Sequence, residues 1–318
     1  MVQAGVNSTL SSGMSRPEIA VIVCTRNRPD GLGRTLESLS AQTHRHFEVV
    51  VVDQSDGDRT RHLVEAQRWR DGRFRYLHLD IPGLSRAYNV GIRDSQAPLL
   101  AFTDDDCVAP PDWLESILAA FAAEPEVLLL HGQVTLPPGT EGEWGGSTPT
   151  LLIEERRVIG RGRPFRVIGM GANFAARREV FRLVGPFDEV LGGGGPLESS
   201  QDFDFMYRVF RSGYSTLLEP SVRVHHYGFR SSAEWPATLR SYGIGVGGFF
   251  VKHVRMGDGL AARLLMGSLA GAAARMVKQV VTLRPVEERV VFVRSLVTGM
   301  RRSFTYAIDR DLGVYRAR

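Results

Sequence analysis

Cysteine is scarce in this sequence, with only Cys24 and Cys107 among 318 residues. So few cysteines exclude a framework of several disulfides and a metal site built from cysteine clusters. A reducing compartment is the simplest expectation, and we predict a cytoplasmic protein. Residues 1–16 also lack the basic and apolar segments of a signal peptide, and we predict that they form a flexible tail.

Near the C-terminus, long apolar runs are missing as well. The longest there, Leu264 to Ala274, has 11 residues and is bounded by Arg263 and Arg275. A helix needs about 20 predominantly apolar residues to cross a bilayer. The run therefore predicts no transmembrane helix.

The common nucleotide-binding and hydrolase loops are also lacking. The sequence has no G-x-G-x-x-G after its first apolar run, no G-x-x-x-x-G-K-[ST] and no G-x-S-x-G. Dinucleotide binding, P-loop chemistry and serine hydrolysis therefore lose support. The arginines are scattered without an aromatic stacking platform, so we predict no nucleic-acid partner.

Charge is distributed unevenly, although the net value is only +4. From Trp235 onward there are 14 Lys and Arg against 5 Asp and Glu, in a region rich in Ala, Gly and helical spacing. We predict a basic helical C-terminal extension over residues 233–318. Positive charge beside an apolar stripe is typical of peripheral contact with a membrane, here its inner face, but a helical lid or a dimer contact fits equally. The pattern leaves the oligomeric state open.

Short aliphatic and β-branched runs alternate with helical patterns in the first third of the chain. This alternation predicts an α/β fold with a mostly parallel sheet covered by helices on both faces. Ligands bind such sheets beyond the carboxyl ends of their strands. The runs are Glu18 to Thr25, Phe47 to Asp53, Phe74 to Asp80 and Pro98 to Asp104.

Three adjacent carboxylates, Asp104, Asp105 and Asp106, follow the fourth of these runs. Like charges repel at a partly dry strand end, so a divalent cation would stabilise the cluster. Oxygen ligands of this kind suit Mg²⁺ or Mn²⁺ together with substrate phosphates. An exposed acidic turn that caps the next helix is the alternative interpretation.

Two later segments carry further candidates. Asp202 and Asp204 open a predicted helix just after the glycine loop Gly192 to Pro196, where a carboxylate could act as a general base or simply favour the helix N-terminus. His225 and His226 end a strand-like run. Alternation places their side chains on opposite faces, so at most one is expected to reach the cation.

Six segments in this order resemble the family 2 glycosyltransferases, which have the Rossmann-like GT-A fold. The resemblance covers about Pro17 to Tyr227 and implies a GT-A domain over residues 17–232. It implies an inverting enzyme that transfers a sugar from a nucleotide-diphosphate sugar, with UDP the first expectation, to a hydroxyl of a glycan, lipid-linked or small-molecule acceptor. The segments are AVIVCTRNRPDGLGRTLESLSAQ, FEVVVVDQSDGD, GLSRAYNVGI, LLAFTDDDCVAPPDWL, GANFAARREVFRLVGPFDE and QDFDFMYRVFRSGY.

The same resemblance implies which residues bind the nucleotide. Thr25, Asn27 and Arg28 match the loop after the first strand, which borders the nucleotide in the family. Asp53 matches the acidic residue that holds the base. Asp104 matches the first member of the D-x-D motif, on the ribose side.

Metal and catalytic roles are implied in the same way. Asp106, with Asp104, matches the D-x-D carboxylates that hold Mn²⁺ or Mg²⁺ and the diphosphate, and His226 aligns with a histidine found near the metal. Asp202 matches the catalytic aspartate that accepts the proton of the acceptor hydroxyl.

The chain departs from the family pattern in three places. Gln54 replaces a frequent second acidic residue, Gln201 replaces the usual Glu before Asp202, and the Q-x-x-R-W element of processive synthases is absent. The last departure favours addition of a single sugar. Two alternatives stay open: a non-catalytic nucleotide-sugar-binding protein, and a haloacid-dehalogenase-type phosphatase whose D-x-D-x-[TV] string Asp104 to Val108 satisfies.

Overall fold

The computed structural model describes residues 16–140, 148–160, 165, 169–282 and 285–317, so nearly all of the predicted N-terminal tail lies outside the described residues. The strands are β1 (Ile19–Thr25), β2 (Phe47–Asp53), β3 (Phe74–His78), β4 (Leu99–Asp104), β5 (Cys107–Val108), β6 (Val127–Thr135), β7 (Arg157–Ile159), β8 (Asn173–Arg177), β9 (Ser215–His226), β10 (Ile308–Asp309) and β11 (Val314–Tyr315). The helices are α1 (Pro29–Ser40), α2 (Arg59–Arg70), α3 (Leu84–Asp94), α4 (Trp113–Ala123), α5 (Val180–Leu183), α6 (Gln201–Arg211), α7 (Trp235–Arg255), α8 (Gly259–Val281) and α9 (Glu287–Ser303).

One large mixed sheet forms the centre of the molecule. Its strand order is β3-β2-β1-β4-β8-β6-β9-β5, and β7 pairs with β9. Strands β1 to β4 are parallel to one another, as predicted, whereas β8 runs antiparallel to both β4 and β6. The carboxyl ends of β1, β2 and β4 therefore lie at one edge, and β8 begins at that same edge.

Strand β1 shows why the apolar runs become strands with no exposed face. Its seven residues are all buried. Ile19, Val21 and Val23 join the core on one face of the sheet, whereas Ile22 and Cys24 join the core on the other. Such double burial requires a nearly continuous apolar run, which is the pattern seen in the sequence.

The C-terminal helices share the core instead of standing apart from it. Helices α7 and α9 pack closely because glycines face each other along their contact. A Cβ atom at Gly247 would lie 2.1 Å from the Leu296 carbonyl oxygen, and one at Gly299 would lie 2.0 Å from that of Ile244. Only glycine allows two backbones to approach this closely.

Helix α8 corrects one expectation from the sequence. The apolar run was expected to end at Arg263 and Arg275, but a single helix of 23 residues continues through both arginines. Its segment 259–279 is long and apolar enough to cross a membrane by length and composition, and almost none of its residues are fully buried. Counting only the uninterrupted run therefore underestimated the apolar length of this helix.

A buried charge cluster joins helix α6 to helix α7. The Lys252 ammonium lies 2.7 Å from both Asp188 and Asp204, and all three side chains are fully buried. Asp204 also accepts hydrogen bonds from His253 and Arg208, each at 2.9 Å. Burial alone would raise the pKa of Asp204, but these cationic and hydrogen-bonding partners outweigh it and hold the pKa below its ordinary value.

Replacement of Lys252 tests how much of the fold depends on this cluster. Lys252→Met removes the one lysine between two buried carboxylates, so we expect the free energy of unfolding to fall by roughly 3–5 kcal/mol. Urea denaturation followed by circular dichroism measures the change. Lys278→Met, on an exposed position of α8, is the matched control and should stay within roughly 0.5 kcal/mol of the parent. Equal stability of the two variants would contradict the prediction.

Candidate active site

Two polar cavities open side by side at the predicted edge of the sheet. We name them donor-side and acceptor-side after the nucleotide sugar and the acceptor hydroxyl that the family resemblance implies. The donor-side cavity, of about 410 Å³, is lined by Thr25, Gln54, Asp105 and the glycine loop at Gly193 and Gly194. The acceptor-side cavity, of about 480 Å³, is lined by Asp106, Asp202, His226 and residues 169–172. Both cavities share these residues: Arg28, Leu84, Asp104, Ser199, Gln201, Arg230 and Tyr242.

The aspartate triplet is held in place by neighbours on the loop after β1. Thr25 Oγ1 donates a 2.7 Å hydrogen bond to Asp105, and the Arg28 guanidinium lies 3.3 Å from Asp105 and 3.2 Å from Asp106. Burial, followed by the charge of Asp106, raises the pKa of Asp104 to about 7. The cluster thus retains uncompensated repulsion, which a bound cation would relieve.

His226 comes beside Asp106 because β5 pairs antiparallel with β9, with Cys107 opposite His226. His226 Nε2 lies 3.2 Å from Asp106 Oδ1 but outside hydrogen-bonding geometry, so this buried oxygen has no hydrogen-bond donor among the described residues. Burial lowers the pKa of His226, but the interaction with Asp106 outweighs it and raises the pKa overall. His225 points the other way and contacts Thr135 at 2.9 Å, which confirms the predicted alternation.

The donor set fits a divalent cation. Atoms of Asp106, Cys107 and His226 that can bind a metal all lie within 4.8 Å of one another. Burial raises the pKa of the Cys107 thiol well above its ordinary value, so this sulfur stays protonated and is a poor ligand. The carboxylate of Asp106 and the imidazole of His226 are the better pair, and Asp104 lines the same cleft.

Asp202 lies at the first turn of α6, in the acceptor-side cavity. Its two carboxylate oxygens accept 2.9 Å hydrogen bonds from the backbone amides of Gly171 and Phe203. Burial raises the pKa of Asp202 in spite of these amides. A carboxylate with a raised pKa is a stronger base, yet it remains anionic at a pH above that value. Asp204, its predicted partner in an acidic pair, points instead into the buried cluster with Lys252.

Two of the predicted nucleotide ligands are occupied by local contacts. Asn27, with a φ of 57°, hydrogen-bonds to Asp56 and to Ser55 and so ties the β1 loop to the β2 loop. Asp53 is fully buried and accepts hydrogen bonds from the Ser55 amide and the Tyr76 hydroxyl. Neither residue lines the two described cavities, and their contact with a nucleotide stays a prediction.

The comparison with known protein families identifies the chain. Residues 20–185 match the model of "Glycosyl transferase family 2". The chain belongs to this family. It is a glycosyltransferase rather than a phosphatase, and Asp104 and Asp106 line the acceptor-side cavity.

Curated relatives agree with the assignment. The glycosyltransferase is 23% identical over 232 residues to the glucosyl-dolichyl phosphate glucuronosyltransferase of Haloferax volcanii. That alignment covers 69% of this chain and 72% of the relative. The chain is 28% identical over 298 residues to the pre-mycofactocin glycosyltransferase of Mycobacterium tuberculosis. That alignment covers 86% of this chain but 58% of the relative, so the chain spans little more than half of the mycobacterial protein.

Solved structures share the fold. The mannosyltransferase PcManGT from Pyrobaculum calidifontis, in complex with GDP-Man and Mn²⁺, superposes with a TM-score of 0.62 at 18% identity and covers 90% of this chain and 88% of its own. S. aureus TarS 1-349 in complex with UDP gives a TM-score of 0.53 at 20% identity and covers 72% and 65%. At these identities the likeness shows the GT-A fold, with C-terminal helices present in this glycosyltransferase.

Sequence reasoning missed the residues that the C-terminal region brings to the cleft. Arg230 and Tyr242 line both cavities, and Val246 and Phe292 line the acceptor side. All four follow the resembling segments along the chain and carry no motif. Arg230 lies between β9 and α7, and the packing of α7 and α9 places the other three. The uneven charge count was the one signal that this region differed from the rest.

The loop that carries Gly171 leaves no room beneath it, which a substitution can test. A Cβ atom at Gly169 would lie 2.2 Å from the buried His131 imidazole. Gly169→Ala should therefore displace the loop, and with it the Gly171 amide that donates a hydrogen bond to Asp202. We expect turnover to fall at least roughly 10-fold. Gly72→Ala, with no atom within 4 Å of its added Cβ, should leave turnover unchanged. Equal turnover in the two variants would show that the loop adapts freely.

Proposed function

We propose that this family 2 glycosyltransferase adds a single sugar, with inversion, from a UDP-sugar to an acceptor hydroxyl. The carrying observation is that Asp104, Asp106, His226 and Asp202 line one cleft, with Asp104 also lining the adjoining cavity. Two cavities that share a wall of carboxylates suit a donor on one side and an acceptor on the other. We further propose that the enzyme acts in the cytoplasm at the inner face of a membrane.

The nucleotide is assigned to the donor-side cavity because its residues can position an anion and a base. Arg28 and Arg230 supply positive charge at the junction of the cavities, where the diphosphate would lie. Gln54 donates to the carbonyl oxygens of Ile81 and Gly83 and shapes the opposite wall. The structure of TarS in complex with UDP supports a uridine nucleotide in the donor, whereas PcManGT is in complex with GDP-Man. Competition between UDP and GDP for the cleft measures this preference.

Proton transfer is assigned to Asp202. In its ionised form this carboxylate accepts the proton of the acceptor hydroxyl, and the hydroxyl oxygen forms a bond to the anomeric carbon. The bond from that carbon to the diphosphate oxygen breaks on the opposite face, so the configuration inverts. The amides of Gly171 and Phe203 orient the carboxylate.

A divalent cation fits the proposal through the chain's own donor atoms. Asp106 and His226, with Asp104 nearby, would hold Mn²⁺ or Mg²⁺. When bound, the cation would stabilise the negative charge that develops on the departing diphosphate. The Mn²⁺ in the PcManGT complex supports this assignment.

Loss of the proposed base separates chemistry from donor binding. Asp202→Asn keeps the shape of the side chain but removes its basicity, so we expect kcat to fall by roughly 10² to 10⁴-fold. UDP binding in the presence of Mn²⁺, measured by calorimetry, should stay within roughly twofold of the parent. Near-normal turnover in this variant would remove Asp202 from the role.

The pH profile gives an independent check on Asp202. Burial raises its pKa, and the protonated acid cannot accept a proton. We therefore expect kcat to decrease as the pH falls through this raised pKa and to level off above it. The acidic limb should be absent from the residual activity of Asp202→Asn. An unchanged limb in the variant would assign it to another group.

Removal of a metal-binding carboxylate should weaken the donor complex itself. Asp106→Ala is expected to reduce Mn²⁺-dependent UDP affinity by at least roughly 10-fold, the scale on which even indirect metal partners act. Asp112→Ala removes a carboxylate whose side chain is 50% exposed and pairs with Arg223 outside the cleft, and it should bind like the parent. Calorimetric titrations with and without EDTA distinguish the two. Equal Mn²⁺-dependent UDP affinity in the two variants would contradict the assignment of Asp106 to the metal.

A further inference from the structure

The acceptor-side cavity adjoins a space between the C-terminal helices. Phe203, Val246 and Phe292 line the cleft and also line a neighbouring cavity of about 310 Å³. That cavity shares Ser268 and Phe292 with a third one, of about 640 Å³, which lies between α7, α8 and α9. We call the cavities of about 310 Å³ and about 640 Å³ together the helix groove.

The end of the helix groove nearest to Asp202 is apolar. Its lining consists of aromatic and aliphatic side chains apart from Ser268, namely Phe165, Phe203, Val246, Phe250, Leu264 and Phe292. Sugar hydroxyls and phosphates would lose hydrogen bonds to water there without replacement. The wider cavity is lined by Leu239 and Ala272 and also by charged and polar residues, namely Arg275, Gln279, Glu287, Glu288 and Arg289. The groove is thus apolar beside the cleft and polar at its far end.

Helix α8 presents an apolar face to the outside while its other face lines the groove. Leu264, Ser268 and Ala272, spaced four residues apart, face inward. Met266 and Val277 are 62% and 64% exposed on the outward face. A contiguous exposed apolar face on a helix this long is typical of membrane contact.

Positive charge around this face favours an anionic lipid surface. Arg263 and Lys278 are exposed on α8 itself. The segment from Trp235 onward carries 14 basic and 5 acidic residues. Apolar burial and attraction to anionic lipids act together in interfacial helices. Helix α8 therefore carries two apolar surfaces, one that faces outward and one that lines the groove.

We infer that the acceptor is an amphiphile, with its hydroxyl-bearing head at Asp202 and its hydrocarbon chain in the helix groove. The inference rests on the proposed function, since it deepens the identity of the acceptor. The shared lining carries it: Phe203, Val246 and Phe292 line both the cleft and the adjoining apolar cavity, which is therefore placed to receive a chain attached to the reacting sugar or alcohol. A fully water-soluble acceptor would leave this apolar surface exposed to water.

Photolabelling with a hydrocarbon probe tests the groove directly. The probe is dodecyl β-glucoside with a diazirine at the end of its chain, added to the full chain below its micellar concentration with UDP and Mn²⁺. We expect saturable labelling, resolved to single residues by fragmentation mass spectrometry, at the groove positions Leu239, Leu264, Ser268, Ala272 and Phe292. Excess unlabelled dodecyl glucoside should suppress it. Labelling confined to the outward face at Met266 and Val277, or labelling that does not saturate, would overturn the inference.

Substitutions that fill the groove sharpen the test. Ser268→Phe places a ring where the two cavities join, and labelling should fall at least roughly 10-fold, since each methylene kept out of an apolar site forfeits about a fourfold gain in affinity. Ala272→Phe fills the wider cavity and serves if the first variant is unstable. Val254→Phe adds the same ring to an exposed position of α7, 39% exposed in the parent, and should label like the parent. Parent-like labelling in both groove variants would refute the inference.

Two further measurements separate this inference from its alternatives. Mn²⁺-dependent UDP binding is measured on every variant; its absence from the parent would defeat the proposed function, whereas its presence without groove labelling would defeat only the inference. Size-exclusion chromatography with light scattering reports the oligomeric state. If Ser268→Phe converted a dimer into a monomer, a second copy of the chain would be the occupant, and the inference would be wrong.

Discussion

Repulsion among three adjacent carboxylates is the constraint around which the cleft is built. Asp104, Asp105 and Asp106 stand at the end of a buried strand, where water cannot screen them fully. Thr25, at the end of β1, and Arg28, on the loop after it, offset part of that repulsion, Thr25 by a hydrogen bond and Arg28 by its positive charge. The remainder faces the cavity, so the protein keeps a strong local field in the place where a phosphate-bound cation would be attracted. The sheet edge supplies that field before any ligand arrives.

A second set of charges holds Asp202 opposite this field. Asp204 lies two residues further along α6 and is pinned by Lys252, His253 and Arg208 in the interior. Helix α6 therefore cannot rotate without breaking buried ion pairs, and that rigidity keeps its first turn facing the cleft. Asp202 is the proposed base of the pair, and Asp204 fixes the position in which that base is held.

The sequence predicted the parts of the molecule that depend on local patterns. Apolar runs such as Phe47–Asp53 matched their strands because a strand covered on both faces needs uninterrupted apolar residues. The cleft positions of Asp104, Asp106, Asp202 and His226 followed from strand ends and ordered motifs. Arg230, Tyr242 and Phe292 could not be predicted, since tertiary packing places them and no local pattern marks them. The different surroundings of Asp202 and Asp204 could not be predicted either, because only the distant Lys252 distinguishes one aspartate from the other.

The last described strand bears on the order in which the chain can fold. The Tyr315 amide donates to Asp188, which also pairs with Lys252, and the Tyr315 hydroxyl donates to the Gly248 carbonyl oxygen. Residues near position 315 thus complete a cluster that begins at Asp188, more than a hundred residues earlier in synthesis. Strands β1 to β4 end at Asp104, so the sheet edge that carries the aspartate triplet is synthesised long before position 315. The buried cluster between α6 and α7 therefore obtains its full set of hydrogen bonds later in synthesis than that edge can form.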